Sequence, residues 1–174
     1  MTSAKSIEAF LDNPSIAVVG VSRSGKGFGN AACRSLRTQG YRVYPVNSSA
    51  PTIDGIRCYS RLSELSERVN AVLVVVPSPQ AVDVIREAAA AGIRHVWLQQ
   101  GAESPEAVKL GADLGLDVVS GECILMFAHP TGIHRAHRWL REVTQRLPAE
   151  LRTDSRLRRI RGRPKEQKIS DRIR

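Results

Sequence analysis

The chain has 174 residues, 42% of them hydrophobic, and a formal net charge of +9 from 26 Lys/Arg against 17 Asp/Glu. This is the size of one domain with a single core, and no apolar run approaches the roughly 18 residues that cross a membrane. Residues 1–13 carry acids where a secretory signal would be basic and then apolar, and Cys33, Cys58 and Cys123 form no CxxC pair, so the sequence argues against export, a zinc knuckle or a disulfide framework and for a cytoplasmic protein.

In chain order, residues 16–21 (IAVVGV) predict a strand buried on both faces, followed by a glycine- and serine-rich stretch at 22–30 and a helix over 31–39. A unit then recurs in which a helix ends at a glycine and an apolar strand begins just after it. Gly40 precedes a strand at 43–46, Gly92 one at 94–98, and Gly115 one at 116–119. Residues 56–59 predict a short strand, 62–68 a short helix, and 71–76 (AVLVVV) the most hydrophobic strand. Ser78-Pro79 and Ser104-Pro105 each read as a serine N-cap before a first-turn proline. Six strands alternating with helices predict an α/β fold: a doubly wound, mainly parallel Rossmann-like sheet with helices on both faces. Beyond Gly121 come an apolar run at 123–128, a break at His129-Pro130 and an amphipathic helix over 133–147 that Pro148 ends. The organisation is then a domain at 1–148 and a basic, disordered or loosely helical tail at 149–174, which holds ten Lys/Arg and four acids and contributes nothing to the core.

The loop Gly20-Val-Ser22-Arg23-Ser24-Gly25-Lys26-Gly27-Phe-Gly29 carries the strongest chemical signal. Glycines let backbone approach a phosphate, and the helix start that follows supplies free N–H groups and a positive dipole end. The plain alternative is a structural loop. Gly20-x4-Gly25-Lys26 fits the P-loop until Gly27, where a hydroxyl should hold magnesium. Gly27-x-Gly29-x-x-Ala32 fits a dinucleotide fingerprint, but it lies late after the strand, and the second strand exits into Asn47 with no acid for a ribose 2′-hydroxyl. Val76-Pro77-Ser78 closes the strand expected beside the first, where ligands bind, although Ser-Pro also simply starts a helix. Gln99-Gln100-Gly101 closes the next strand with two amides more than a turn needs.

Cys123 has no activating partner in sequence and reads as a buried structural thiol rather than a nucleophile. His129, His134 and His137 fit no standard metal spacing and read as surface or capping groups, so no metal and no catalytic residue is expected. Arg161-Gly162-Arg163-Pro164 matches the core of an AT-hook, whose arginines enter the minor groove of A·T-rich DNA. A solvated tail is the plainer reading, and nucleic acid is not the expected partner.

Taken together, IAVVGVSRSGKGFGNAACRSLRTQGYRVYPVN, AVLVVVPSPQAV, GIRHVWLQQGAES and GLDVVSGECILMFAHP resemble the stand-alone CoA-binding domain proteins, which are similar to the N-terminal CoA-binding domain of the succinyl-CoA synthetase α subunit. The resemblance covers about residues 7–148. It implies that Gly20 and Ser22 to Lys26 hold the pyrophosphate of coenzyme A, that Asn47 to Ser49 face the adenosine end, and that Val76-Pro77-Ser78 and Gln99-Gln100-Gly101 line the rest. The synthetase's lysine after the second strand is absent here, which leaves Arg23 or Lys26 to meet the 3′-phosphate. The expected function is non-catalytic binding of coenzyme A or an acyl-CoA, with a protein partner unspecified and no membrane association. The alternatives are an NAD(P)-dependent oxidoreductase, an acyl-CoA ligase component and a DNA-associated protein acting through the tail.

Overall fold

The computed structural model describes residues 2–128. The helix expected at 133–147, the three histidines from His129 to His137, and the tail with Arg161 to Pro164 lie outside the described residues.

The fold is built on a five-stranded parallel sheet. Its strands are β1 (Ser15–Val19), β2 (Arg42–Val46), β5 (Ala71–Val74), β6 (His95–Gln99) and β7 (Asp117–Glu122), in the spatial order β2-β1-β5-β6-β7. Side chains alternate across the pleat and divide the core in two. Ile16, Val18, Leu73 and Trp97 face one side, against α1 (Ala4–Leu11), α2 (Phe28–Thr38) and the buried 3-10 turn Ile124–Met126. Ala17, Val72, Val74, Val96 and Leu98 face the other, against α3 (Ser78–Ala90) and α4 (Pro105–Asp113). Both faces are covered, which is why β5 can be apolar at every position.

Helix α1 was not expected. Ser3 caps it by accepting from the Ser6 N–H at 3.0 Å, and Ile7 and Phe10, three residues apart, bury its inner face. Phe10 packs edge-on against Trp97, with ring centroids 5.3 Å apart. Gly40, Gly92 and Gly115 follow their helices with φ of +93°, +73° and +72°, as the repeating unit predicts. Ser104 caps α4 through the Ala107 N–H at 3.1 Å. Ser78 differs: Pro77 occupies the cap position, Ser78 is the first helical residue, and no side chain caps α3.

The strand expected at 56–59 is not a sixth strand of the sheet. Residues 52–57 fold as a hairpin, β3 (Thr52–Ile53) against β4 (Ile56–Arg57), closed by Asp54-Gly55 with φ of +50° and +73°. Two positive-φ residues make the tight antiparallel turn that Asp-Gly favours. Nine residues separate Val46 from Ile56, short of the dozen or so that a parallel crossover needs. What survives of the parallel pairing is one bridge, Val46 to Tyr59. The helix expected at 62–68 shortens to a 3-10 turn, Leu62–Leu65, whose two leucines are buried.

Burial pushes the Cys33 thiol up to about 12 from its ordinary value of 9.0, and the Asp54 carboxylate and Cys58 push the same way. Burial also raises Cys58 and Tyr41. A folded-state value above the unfolded one leaves stability whole below pH 9.0 and removes it as pH rises through about 12, because only the unfolded chain ionises in between. The urea midpoint is therefore expected to fall across that interval, and Cys33→Ala to flatten the fall. An unchanged slope in the variant would mean that the Cys33 thiolate is as well solvated folded as unfolded.

A candidate anion-binding crevice at the switch point of the sheet

After β1 the chain turns outward to β2, and it later returns on the other side of β1 as β5. The loops leaving β1 and β5 lead to helices on opposite faces there, the position at which doubly wound sheets hold ligands in a crevice at the carboxyl ends of their strands. Residues 20–27 form one wall and residues 75–78 the other. The first wall can lie on the second only because residue 20 is glycine. Its φ is +102°, and a Cβ there would overlap the Val75 carbonyl. Gly29, in the first turn of α2, permits the next contact, since a Cβ there would stand 2.5 Å from the Gly20 oxygen.

Asn30 sets the conformation of the loop. It is fully buried, its Oδ1 accepts from the Ser22 N–H and its Nδ2 donates to the Ser22 carbonyl, both at 2.9 Å. The serines continue the wrap. The Ser24 N–H donates to Ser22 Oγ at 3.2 Å, the Gly25 N–H to the Ser22 carbonyl at 3.1 Å, and the Lys26 N–H to Ser24 Oγ at 3.4 Å. The N–H groups of Ser22, Ser24, Gly25 and Lys26 are thus engaged within the loop and its helix. The open end of the helix lies one step on: Gly27 stands at the N-cap of α2 with φ +102° and no capping side chain, so the first turn begins without intrahelical acceptors, and of its residues Gly27 and Phe28 reach the surface while Asn30 is buried. Arg23 and Lys26 are exposed, with no ion pair among the described residues. Residues 2–128 hold twelve basic and twelve acidic side chains, so any pull on an anion here is local rather than a field of the whole domain.

Asn47 borders this loop but as a strut. Its Nδ2 donates to the Val21 carbonyl at 2.7 Å, its Oδ1 accepts from the Ser49 N–H at 2.7 Å, and its N–H donates to the Tyr59 carbonyl at 2.8 Å. Val76 and Ser78 are half-buried and Pro77 is exposed on the second wall. At the β6 exit the two amides part. Gln99 is buried, and its Oε1 accepts from the Ile124 N–H at 3.1 Å, while Gln100 is exposed and Gly101, φ +92°, donates its N–H to Glu103 at 2.6 Å. Cys123 is buried, as expected of a structural thiol.

The sequence reading missed Asn30, Val75 and the hairpin tip. Asn30 was legible as an amide among small and apolar residues on the inner face of α2, and the tip as Asp54-Gly55. Val75 carried no signal, because its carbonyl and not its side chain meets Gly20.

A profile of the CoA binding domain family matches residues 14–129. The alpha subunit of an ADP-forming acetate–CoA ligase II from Pyrococcus furiosus is 25% identical over 129 residues, covering 68% of this chain and 28% of the relative. The uncharacterised Bacillus subtilis protein YneT is 31% identical over 112 residues, covering 63% of this chain and 81% of the relative. Among solved structures, a conserved hypothetical protein from P. furiosus superposes with a TM-score of 0.61 at 35% identity, over 64% of this chain and 96% of that one. A dinucleotide-forming acetyl-coenzyme A synthetase 1 from Ca. Korarchaeum cryptofilum gives 0.57 at 28% identity, over 65% of this chain and 27% of that one. The chain therefore spans about a quarter of the length of each of these two larger relatives.

Proposed function

Because the chain belongs to the CoA binding domain family, we propose that it binds coenzyme A or an acyl-CoA, without catalysis of its own, in the crevice between the β1 and β5 exits. The observation that carries this reading is the uncapped start of α2 beside two exposed cations, Arg23 and Lys26, that have no ion pair among the described residues, in a segment whose net charge is zero. The loop of Gly20 and Ser22 to Gly27 shapes the cradle, and the N–H groups of Gly27 and Phe28, at the open end of α2, donate to the pyrophosphate. Arg23 or Lys26 meets the 3′-phosphate. Asn47 walls the adenosine side through its bond to Val21. Val76, Pro77 and Ser78 line the path onward, and Gln100 and Gly101, with Gln99 beneath them, flank its far end.

The same geometry disfavours the other nucleotides. NAD needs an acceptor after the second strand for its ribose, and the Asn47 Oδ1 is already bonded to the Ser49 N–H. ATP with magnesium needs a hydroxyl after Lys26, and Gly27 has none. A component of an acyl-CoA ligase acting with another chain is the second reading, favoured by a relative that is itself named a ligase subunit.

Calorimetry with coenzyme A, dephospho-CoA, NAD and ATP tests this. Coenzyme A is expected to bind tightest. Arg23→Ala with Lys26→Ala is expected to weaken coenzyme A more than dephospho-CoA, by ~1–3 kcal/mol, about fivefold to 150-fold. Equal wild-type affinity for the two coenzymes would remove the 3′-phosphate contact, and tighter binding of NAD would overturn the coenzyme A reading.

A further inference from the structure

Arg34 leaves α2 and reaches two acceptors with one nitrogen. Its Nη1 donates to Asp54 Oδ2 at 2.7 Å and to the Gly25 carbonyl at 3.2 Å. Asp54 is the tip of the β3–β4 hairpin and the only non-glycine residue with positive φ among the described residues, at +50°. The tip also leaves little room for a side chain on the loop: a Cβ on Gly25 would stand 3.1 Å from Asp54 Oδ1. One ion pair thus joins the loop, the helix behind it and the hairpin beside it.

The energetics of this pair do not explain its placement. The side chains are 52% and 27% exposed, and a pair in that setting adds little to folding stability. Its effect is geometric. A phosphate-binding loop must offer N–H groups and cations, and a carbonyl turned toward the ligand would repel it. With the Gly25 carbonyl bonded to Arg34, its negative end is held on the guanidinium. Asp54 in turn neutralises and orients that guanidinium.

We propose that Arg34 and Asp54 are positioning residues for the anion-binding loop, a clamp that ties the hairpin to the loop and so couples hairpin order to ligand binding. The proposal rests on the coenzyme A reading of the crevice. Neither residue touches the ligand; both act through Gly25. The clamp makes ligand affinity depend on a pair that folding stability scarcely registers. It also gives the ligand a reach beyond its own contacts, because steadying residues 22–26 steadies residues 52–57.

The test is a double-mutant cycle on the full chain, with coenzyme A as the probe. Arg34→Ala and Asp54→Asn are each expected to weaken coenzyme A by about fivefold to fiftyfold, and the double variant no more than the worse single one. Arg34→Lys is expected to keep most of the affinity. Melting temperatures should stay within about 3 °C of wild type. Hydrogen exchange supplies a readout that a merely structural role would not move: coenzyme A should protect the amides of 52–57 in wild type and not in Arg34→Ala. Unchanged affinity in folded variants, losses that multiply in the double variant, or equal hairpin protection with and without Arg34 would each overturn the clamp. A wild-type protein that binds no coenzyme A would instead overturn the reading on which the clamp rests.

Discussion

Gly20→Ala is expected to lower folding stability by about 2–6 kcal/mol, summing backbone strain and overpacking, and to abolish coenzyme A binding. Two costs coincide at this residue. Its φ of +102° is one that side-chain-bearing residues rarely adopt, and the added methyl would drive into the Val75 carbonyl. Relief requires β5 to move away from β1, but these strands are hydrogen-bonded through the Val75 N–H to the Val19 carbonyl at 2.8 Å. Moving the loop instead displaces its carbonyl from Gly29 and tilts the start of α2, where the proposed donors lie. Gly27→Ala is the control. It shares the φ of +102°, yet nothing lies within 4 Å of its would-be Cβ. It should bear the strain alone, about 1–3 kcal/mol. Urea denaturation of the two variants separates the terms. Equal losses would mean that the collision at Val75 relaxes at no cost.

The five sheet strands were legible because each holds an apolar stretch set off by turn chemistry, as with Gly92 before β6 or Pro77 after β5, although β7, expected at 116–119, runs on through Ser120 and Gly121 to Glu122. Burial on both faces writes itself into composition, so Ala71 to Val74 could hardly be read otherwise. The segment between β2 and β5 was read less well. Ile56 and Tyr59 suit a strand by propensity, but the connection is too short for a parallel one, and the Asp54-Gly55 pair that fixes the hairpin was the deciding signal. At the site, glycine density located the loop. What it could not convey was how much of the loop's donor capacity the loop itself consumes, since the bonds among Ser22, Ser24 and Lys26 depend on a fold that spacing does not encode. Asn47 and Gln99 show the same limit: both are polar residues at strand exits, and both anchor a neighbouring backbone, through Val21 and Ile124, rather than standing open to solvent.

Asn30 carries the second large effect. It is the buried amide that holds both backbone groups of Ser22, and it leaves the first turn of α2 to do so. Asn30→Ala strands a donor and an acceptor and opens a small void, an expected loss of about 2–4 kcal/mol. Because Ser22 begins the wrap on which Ser24, Gly25 and Lys26 depend, coenzyme A affinity should fall by more than about tenfold as well. Asn30→Asp distinguishes the hydrogen bonds from the volume. A carboxylate can still accept from the Ser22 N–H, but its second oxygen meets the Ser22 carbonyl without a proton between them. The neutral acid restores that bond, so burial and the carbonyl both raise the folded-state pKa of the new group. Stability of Asn30→Asp should then be highest in acid, where the group is protonated in both states, and be lost as pH rises through the folded value. Denaturation midpoints of the wild type and both variants, measured at acidic and at neutral pH, read this directly. An Asp variant no worse than wild type at neutral pH would mean that the Ser22 carbonyl does not need the Asn30 amide, and that the loop is held by its own serines.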